Sequence, residues 1–345
     1  MIYRVLLVII ALFTILNSNA QNHNTKHLIS IEDFKALQNS DYALIDLRKP
    51  KDFEKGHIEG AINLWRTQIV DSNLVFGGYR ISRDTLQSLF SRIGVTTNQK
   101  VIIYDAKGDV DAARLWWMLY TYGHKNVALL NGGLTEWELK KNDLSNDFIE
   151  PKATDFQFFE QESEDLVVSF EDMKLAVLDS NYTILDTRTL DEYTGETLKK
   201  GAFRKGRIPR SIFIDWAVNI DYDGNRKFKS VDDLMGIYNL NGIDKNQPII
   251  TYCQSGVRSA HTTFVLTQLL GFTNVKNYDG SWIEWSFNSE LPIETGEVVI
   301  ADIDVAEGCT KDDNSDCQKK FFILIGVIFA LILIVNLYFR RKNKV

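Results

Sequence analysis

The chain carries one stretch twice. Val101-Ile-Ile-Tyr-Asp105-Ala-Lys-Gly108-Asp-Val110-Asp-Ala112 runs without gaps against Ile249-Ile-Thr-Tyr-Cys253-Gln-Ser-Gly256-Val-Arg258-Ser-Ala260. The register continues through Gly123/Gly271, Asn126-Val127/Asn274-Val275, Gly132/Gly280 and Glu136-Trp137/Glu284-Trp285. Upstream, Ala43-Leu-Ile-Asp46-Leu-Arg48 answers Thr183-Ile-Leu-Asp186-Thr-Arg188, and Gly56-His57-Ile58 answers Gly206-Arg207-Ile208. A domain-sized repeat restricts the fold to two tandem copies of one unit. Within each copy, short apolar strands alternate with amphipathic helices, such as residues 31–37 and 112–122. That pattern predicts an α/β domain with a mainly parallel sheet, whose ligand sites lie at the carboxyl ends of the strands.

Residues 249–252 suit a short buried strand, and residues 262–270 carry apolar side chains at helical spacing. The tight loop between them leaves N–H groups of the helix start unpaired, and with the helix dipole these form an anion cradle. Cys253 opens the cradle and Arg258 closes it. A thiol so placed loses its proton more readily, and the thiolate is the nucleophile. Gly256 is expected to let the loop approach a bound group closely. The competing reading is a thiol that merely fills core space. In the first copy Asp105 replaces Cys253 and Val110 replaces Arg258, so that copy is expected to be inactive and to wall the cleft between the domains.

Cys-x-x-Gly-x-Arg after a buried strand resembles the active-site loop of rhodaneses, and Tyr278-Asp-Gly-Ser-Trp282 is similar to a segment of their two-domain members. The resemblance covers residues 28–296. It implies two rhodanese-like α/β domains and transfer of sulfur through a Cys253 persulfide. Cys253 and Arg258 would be catalytic, and Gln254, Ser255, Gly256 and Val257 would bind substrate. Ser255 is a candidate hydrogen-bond donor and Ser259 a candidate helix cap. No cofactor or metal is implied, and no Cys/His cluster has zinc-ligand spacing. His57 falls in the family's Gly-His-Ile segment and is expected to be a hydrogen-bonded structural residue.

The second copy has an insertion between Arg188 and Gly206 that includes Lys199, Lys200, Arg204 and Lys205. This patch is expected to draw anionic substrates inward, with Arg204 and Lys205 holding sulfonate oxygens. Mercaptopyruvate and vertebrate thiosulfate enzymes carry arginine where this chain has Glu192, and the mercaptopyruvate loop ends in threonine instead of Arg258. The chain looks like a bacterial subgroup of thiosulfate sulfurtransferases. Thiosulfate is therefore the expected donor, with cyanide or a thiol as acceptor. Three alternatives stay open: a 3-mercaptopyruvate sulfurtransferase; a phosphatase or arsenate reductase, whose loop should hold five residues between Cys and Arg where this one holds four; and a membrane-tethered sulfur-binding module without catalysis.

A formal net charge of −7 argues against a nucleic-acid-binding surface. The only cysteines are Cys253, Cys309 and Cys317, so neither half contains an internal disulfide. Residues 1–20 read as a signal peptide cut before Gln21, or as an uncleaved anchor. An inactive domain is expected over 28–144, a passive linker over 145–164 and a catalytic domain over 165–296. Residues 297–320 form a spacer expected to act as a simple tether, with pairing of Cys309 and Cys317 in an oxidising compartment left open as the alternative. The apolar run 321–339 is long enough to cross a bilayer as a helix, and the basic tail 340–345 is expected in the cytoplasm, with the catalytic domains exported.

Overall fold

Each copy of the repeat builds a five-stranded sheet whose central strands are buried on both faces, as parallel strands covered by helices on either side must be. The computed structural model describes residues 25–37, 42–148 and 150–297. In the first half, β1 (Leu28–Ile29), β2 (Tyr42–Asp46), β3 (Ala61–Asn63), β4 (Lys100–Tyr104) and β5 (Val127–Leu130) lie in the order β1-β5-β4-β2-β3. In the second, β6 (Val167–Val168), β7 (Thr183–Asp186), β8 (Ile212–Phe213), β9 (Ile249–Tyr252) and β10 (Val275–Tyr278) repeat it as β6-β10-β9-β7-β8. Every pairing between these strands is parallel.

The α-helices repeat as well. α1 (Ile31–Lys35), α2 (Pro50–Phe53), α3 (Arg83–Arg92), α4 (Val110–Thr121) and α5 (Gly133–Leu139) answer α6 (Phe170–Leu178), α7 (Leu190–Thr194), α8 (Val231–Leu240), α9 (Val257–Phe264) and α10 (Ser281–Phe287). Even the caps are duplicated. Ser30 and Ser169 accept the amides of Asp33 and Asp172, and Ser82 and Ser230 those of Thr85 and Asp233. Such a cap stabilises its helix by about 1 kcal/mol.

The halves share a core. α4 packs on α9, with the Trp116 and Phe264 rings edge to face at 4.8 Å. One hydrophobic cluster spans both halves, and two smaller ones cover the outer sheet faces. This explains why α4 is buried almost all round instead of amphipathic. The segment expected as a passive linker also joins the core. Phe156 and Phe158 are buried there, and the Phe156 amide donates to Ser91 Oγ at the end of α3. Its acidic composition concealed this, because two aromatic side chains carry the packing.

No helix among the described residues is long and apolar enough to cross a membrane. The expected signal peptide 1–20, transmembrane run 321–339, tail 340–345, and Cys309 and Cys317 all lie outside the described residues.

Candidate active site

In the second half the chain runs from β7 outward to β8 and from β9 outward to β10 on the other side. The order of strands therefore reverses between β7 and β9, and a crevice opens beyond their carboxyl ends, where α/β sheets bind ligands. Cys253 directly follows β9, and its N–H donates to Ser281 Oγ at 3.2 Å. Although only 1% exposed, Cys253 lines a cavity of about 600 Å³. Gln254, Ser255, Val257 and Arg258 line it too, together with Arg66, Lys107, Val110 and Asp111 of the first half.

Arg258 is gripped by Glu192, which follows β7 on α7. Its two terminal nitrogens donate to the two carboxylate oxygens at 2.7 and 2.9 Å, a bidentate pair. Burial raises the Glu192 pKa, but the Arg258 hydrogen bonds and charge, with help from Lys199, bring it down to about 2. Burial likewise pushes the Cys253 thiol up. The charge of Arg258, the Ser259 hydroxyl standing nearby, and the Ser259 and Ser255 amides outweigh this, so the thiol lies below its ordinary 9.0. A titration of thiolate absorbance should therefore show an inflection below 9.0 that moves upward in Arg258→Gln. An unmoved inflection would remove Arg258 from the account.

The first half shows the same cradle filled by an anion. Asp105, at the position of Cys253, accepts the amides of Lys107 and Asp109 on one oxygen (2.6 and 3.0 Å) and of Asp111 and Ala112 on the other (2.8 and 3.2 Å). Lys107 and Asp111 correspond to Ser255 and Ser259, whose amides serve the Cys253 sulfur. Burial and the charge of Asp111 outweigh these four bonds and raise the Asp105 carboxyl to about 6.

Three expectations are corrected. Arg204 does not face the cavity: its guanidinium donates to the carbonyls of Trp285, Ser286, Asn288, Ser289 and Leu291, tying off the carboxyl end of α10, where carbonyls lack helical partners. Lys205 bonds the Glu196 carbonyl at 2.9 Å. The insertion instead presents Lys199 and Lys200 to the cavity. Gly256, at φ 76°, is shaped by a close approach of protein groups: a Cβ there would meet Arg114 Nη1 at 2.7 Å and the Asp279 carbonyl at 2.8 Å. Ser259 does not cap α9, whose cap residue is Gly256; its hydroxyl stands by the sulfur. His57 is buried between the carbonyls of Phe53 and Asp147, stacked on the Phe53 ring.

Sequence reasoning missed Arg114. This buried side chain of α4 reaches across from the first half to Asp279 Oδ1 at 2.5 Å and to the Gly256 carbonyl at 3.3 Å. The available signal was a single basic residue in a largely apolar helix.

A family model described as "Rhodanese-like domain" matches the chain twice, over residues 30–140 and 169–288. A candidate thiosulfate sulfurtransferase of Saccharopolyspora erythraea is 36% identical over 70% of this chain and 86% of its own length. One from Mycolicibacterium smegmatis is 34% identical over 75% and 98%. Among solved structures, the anaerobic ergothioneine biosynthesis enzyme of Chlorobium limicola superposes with a TM-score of 0.70 at 22% identity, over 79% of this chain and 71% of that one. YnjE gives 0.70 at 23% identity, over 79% and 69%. Both share the fold.

Proposed function

The chain belongs to the rhodanese-like family, and we propose that it is a thiosulfate sulfurtransferase working through a persulfide on Cys253. The Cys253 thiolate attacks the outer sulfur of thiosulfate. A Cys253 Sγ–S bond forms, the donor's S–S bond breaks, and sulfite leaves with its electron pair. Cyanide or a thiol then takes the outer sulfur, and the pair of the Sγ–S bond stays on Cys253.

One observation carries this reading: the equivalent cradle of the first half holds the two-oxygen anion of Asp105 with four amides. A cradle with room for two anionic atoms suits a thiolate followed by its sulfane sulfur. Arg258 supplies fixed positive charge beside that pair. With Glu192 taking one N–H from each of its terminal nitrogens, Arg258 offers no open fork between them to a donor's carboxylate. This favours thiosulfate over 3-mercaptopyruvate.

Intact mass spectrometry after incubation with thiosulfate should show one added sulfur on Cys253, released as thiocyanate by cyanide. Specificity constants should favour thiosulfate over 3-mercaptopyruvate by at least about tenfold, the value of one 1.4 kcal/mol contact. The reverse order would replace the donor assigned here. Residues 1–20 and 321–339 support export and membrane anchoring of the enzyme, by sequence alone. The placement is periplasmic or extracellular, and protease digestion of spheroplasts that left the domains untouched would refute it.

A further inference from the structure

The cavity is larger and more cationic than thiosulfate requires. A five-heavy-atom anion needs on the order of 100 Å³, scaling from about 30 Å³ per liquid water. The cavity holds about 600 Å³, within the range of pockets for organic ligands. Five cationic side chains line it. Arg258 and Lys199 share Glu192, and Arg66 is paired with Asp111 at 3.1 Å. Among the described residues, Lys107 of the first half and Lys200 of the second have no ion-pair partner. The Gln254 side chain is 6% exposed and lines the same cavity, and its Oε1 is buried without a hydrogen-bond donor.

The geometry points to a second subsite, formed by Lys107, Lys200 and Gln254 across the two halves, for an organic thiol acceptor that carries a carboxylate and an N–H group. The lysines take the carboxylate, Gln254 Oε1 takes the N–H, and Val70 and Trp216 offer apolar wall to the carbon body. This rests on the sulfurtransferase reading of the cavity. The acceptor's sulfur meets the outer sulfur of the persulfide, so it stands one S–S bond, about 2 Å, farther from Cys253 than the donor's does. Its carboxylate therefore sits farther out in the cavity, whose wall includes the unpaired Lys107 and Lys200. In the transfer step the acceptor thiolate's electron pair forms the new S–S bond, the Cys253 Sγ–S bond breaks, and its pair returns to the Cys253 thiolate. The acceptor leaves as a persulfide, and no oxidant is needed.

N-acetylcysteine and N-acetylcysteamine test this, since they share thiol and amide and differ only in the carboxylate. With thiosulfate as donor, kcat/KM should favour N-acetylcysteine by about tenfold at low salt. In Lys107→Ala/Lys200→Ala the ratio should fall to about one. Both lysines are exposed, so the substitutions spare the core. A ratio unchanged by the double substitution, or near one in the unsubstituted protein, would overturn the subsite. Calorimetric binding of S-methyl-N-acetylcysteine to Cys253→Ser protein needs no turnover. It should weaken about tenfold with the same two substitutions and with added salt. Absent or unaltered binding would refute the subsite, whereas lysine-dependent binding without any thiosulfate turnover would keep the subsite and refute the donor.

Discussion

Cys253→Ser should lower thiocyanate formation from thiosulfate and cyanide by at least about 10³-fold, the scale on which loss of a nucleophile is felt in covalent catalysis. Serine fits the space and can accept the Ser255 and Ser259 amides that the sulfur engages, so the fold should survive. What is lost is chemical. The alcohol is not ionised by the local field of Arg258, which displaces a thiol pKa below 9.0 but cannot bring a hydroxyl into range. The first half offers no substitute, because Asp105 fills its cradle and Val110 stands where Arg258 would be. Circular dichroism should be unchanged, and thiosulfate should add no sulfur to the protein. Activity within tenfold of the unsubstituted protein would move the chemistry away from Cys253.

The strand-loop-helix around Cys253 was legible because a parallel strand buried on both faces reads as a continuous run of β-branched and aromatic residues, and Ile249–Tyr252 is one. The duplication was legible because equal spacing between Gly, Asn and Trp positions survives divergence. The directions of long side chains were not legible. Arg204 and Lys205 form a charge run with Lys199 and Lys200, yet backbone carbonyls that sequence cannot locate capture the first pair. The lysines five residues earlier reach the cavity instead. Glu192 was visible as a departure from an expected arginine. Its role as the clamp on Arg258 depends on β7 and β9 being neighbours, a fact of the sheet and not of the spacing.

Arg114→Met should destabilise the protein by about 3 kcal/mol, the lower end for removing one partner of a buried charge pair. The side chain is 2% exposed, its guanidinium lies 4.8 Å from the Trp117 ring, and it donates to Asp279, the Gly78 carbonyl and the Gly256 carbonyl. Methionine keeps much of the packing on Trp117 and removes the donors. Asp279 would then stay 7% exposed with Arg80 Nε at 3.8 Å as its remaining cation, which holds the cost toward the lower bound. Gly256 would keep Asn277 Nδ2 at 3.2 Å, but the tie binding the active-site loop to the first half would be gone. The melting temperature should fall by on the order of 10 °C, at about 2–4 °C per kcal/mol for a chain of this class. Asp279→Asn in the same chain removes the orphaned charge and should recover part of the loss, giving a coupling energy of at least about 1 kcal/mol in a double-mutant cycle. Denaturant unfolding within 0.5 kcal/mol of the unsubstituted protein, or strictly additive losses, would show that the Arg114–Asp279 pair contributes little to holding the halves together.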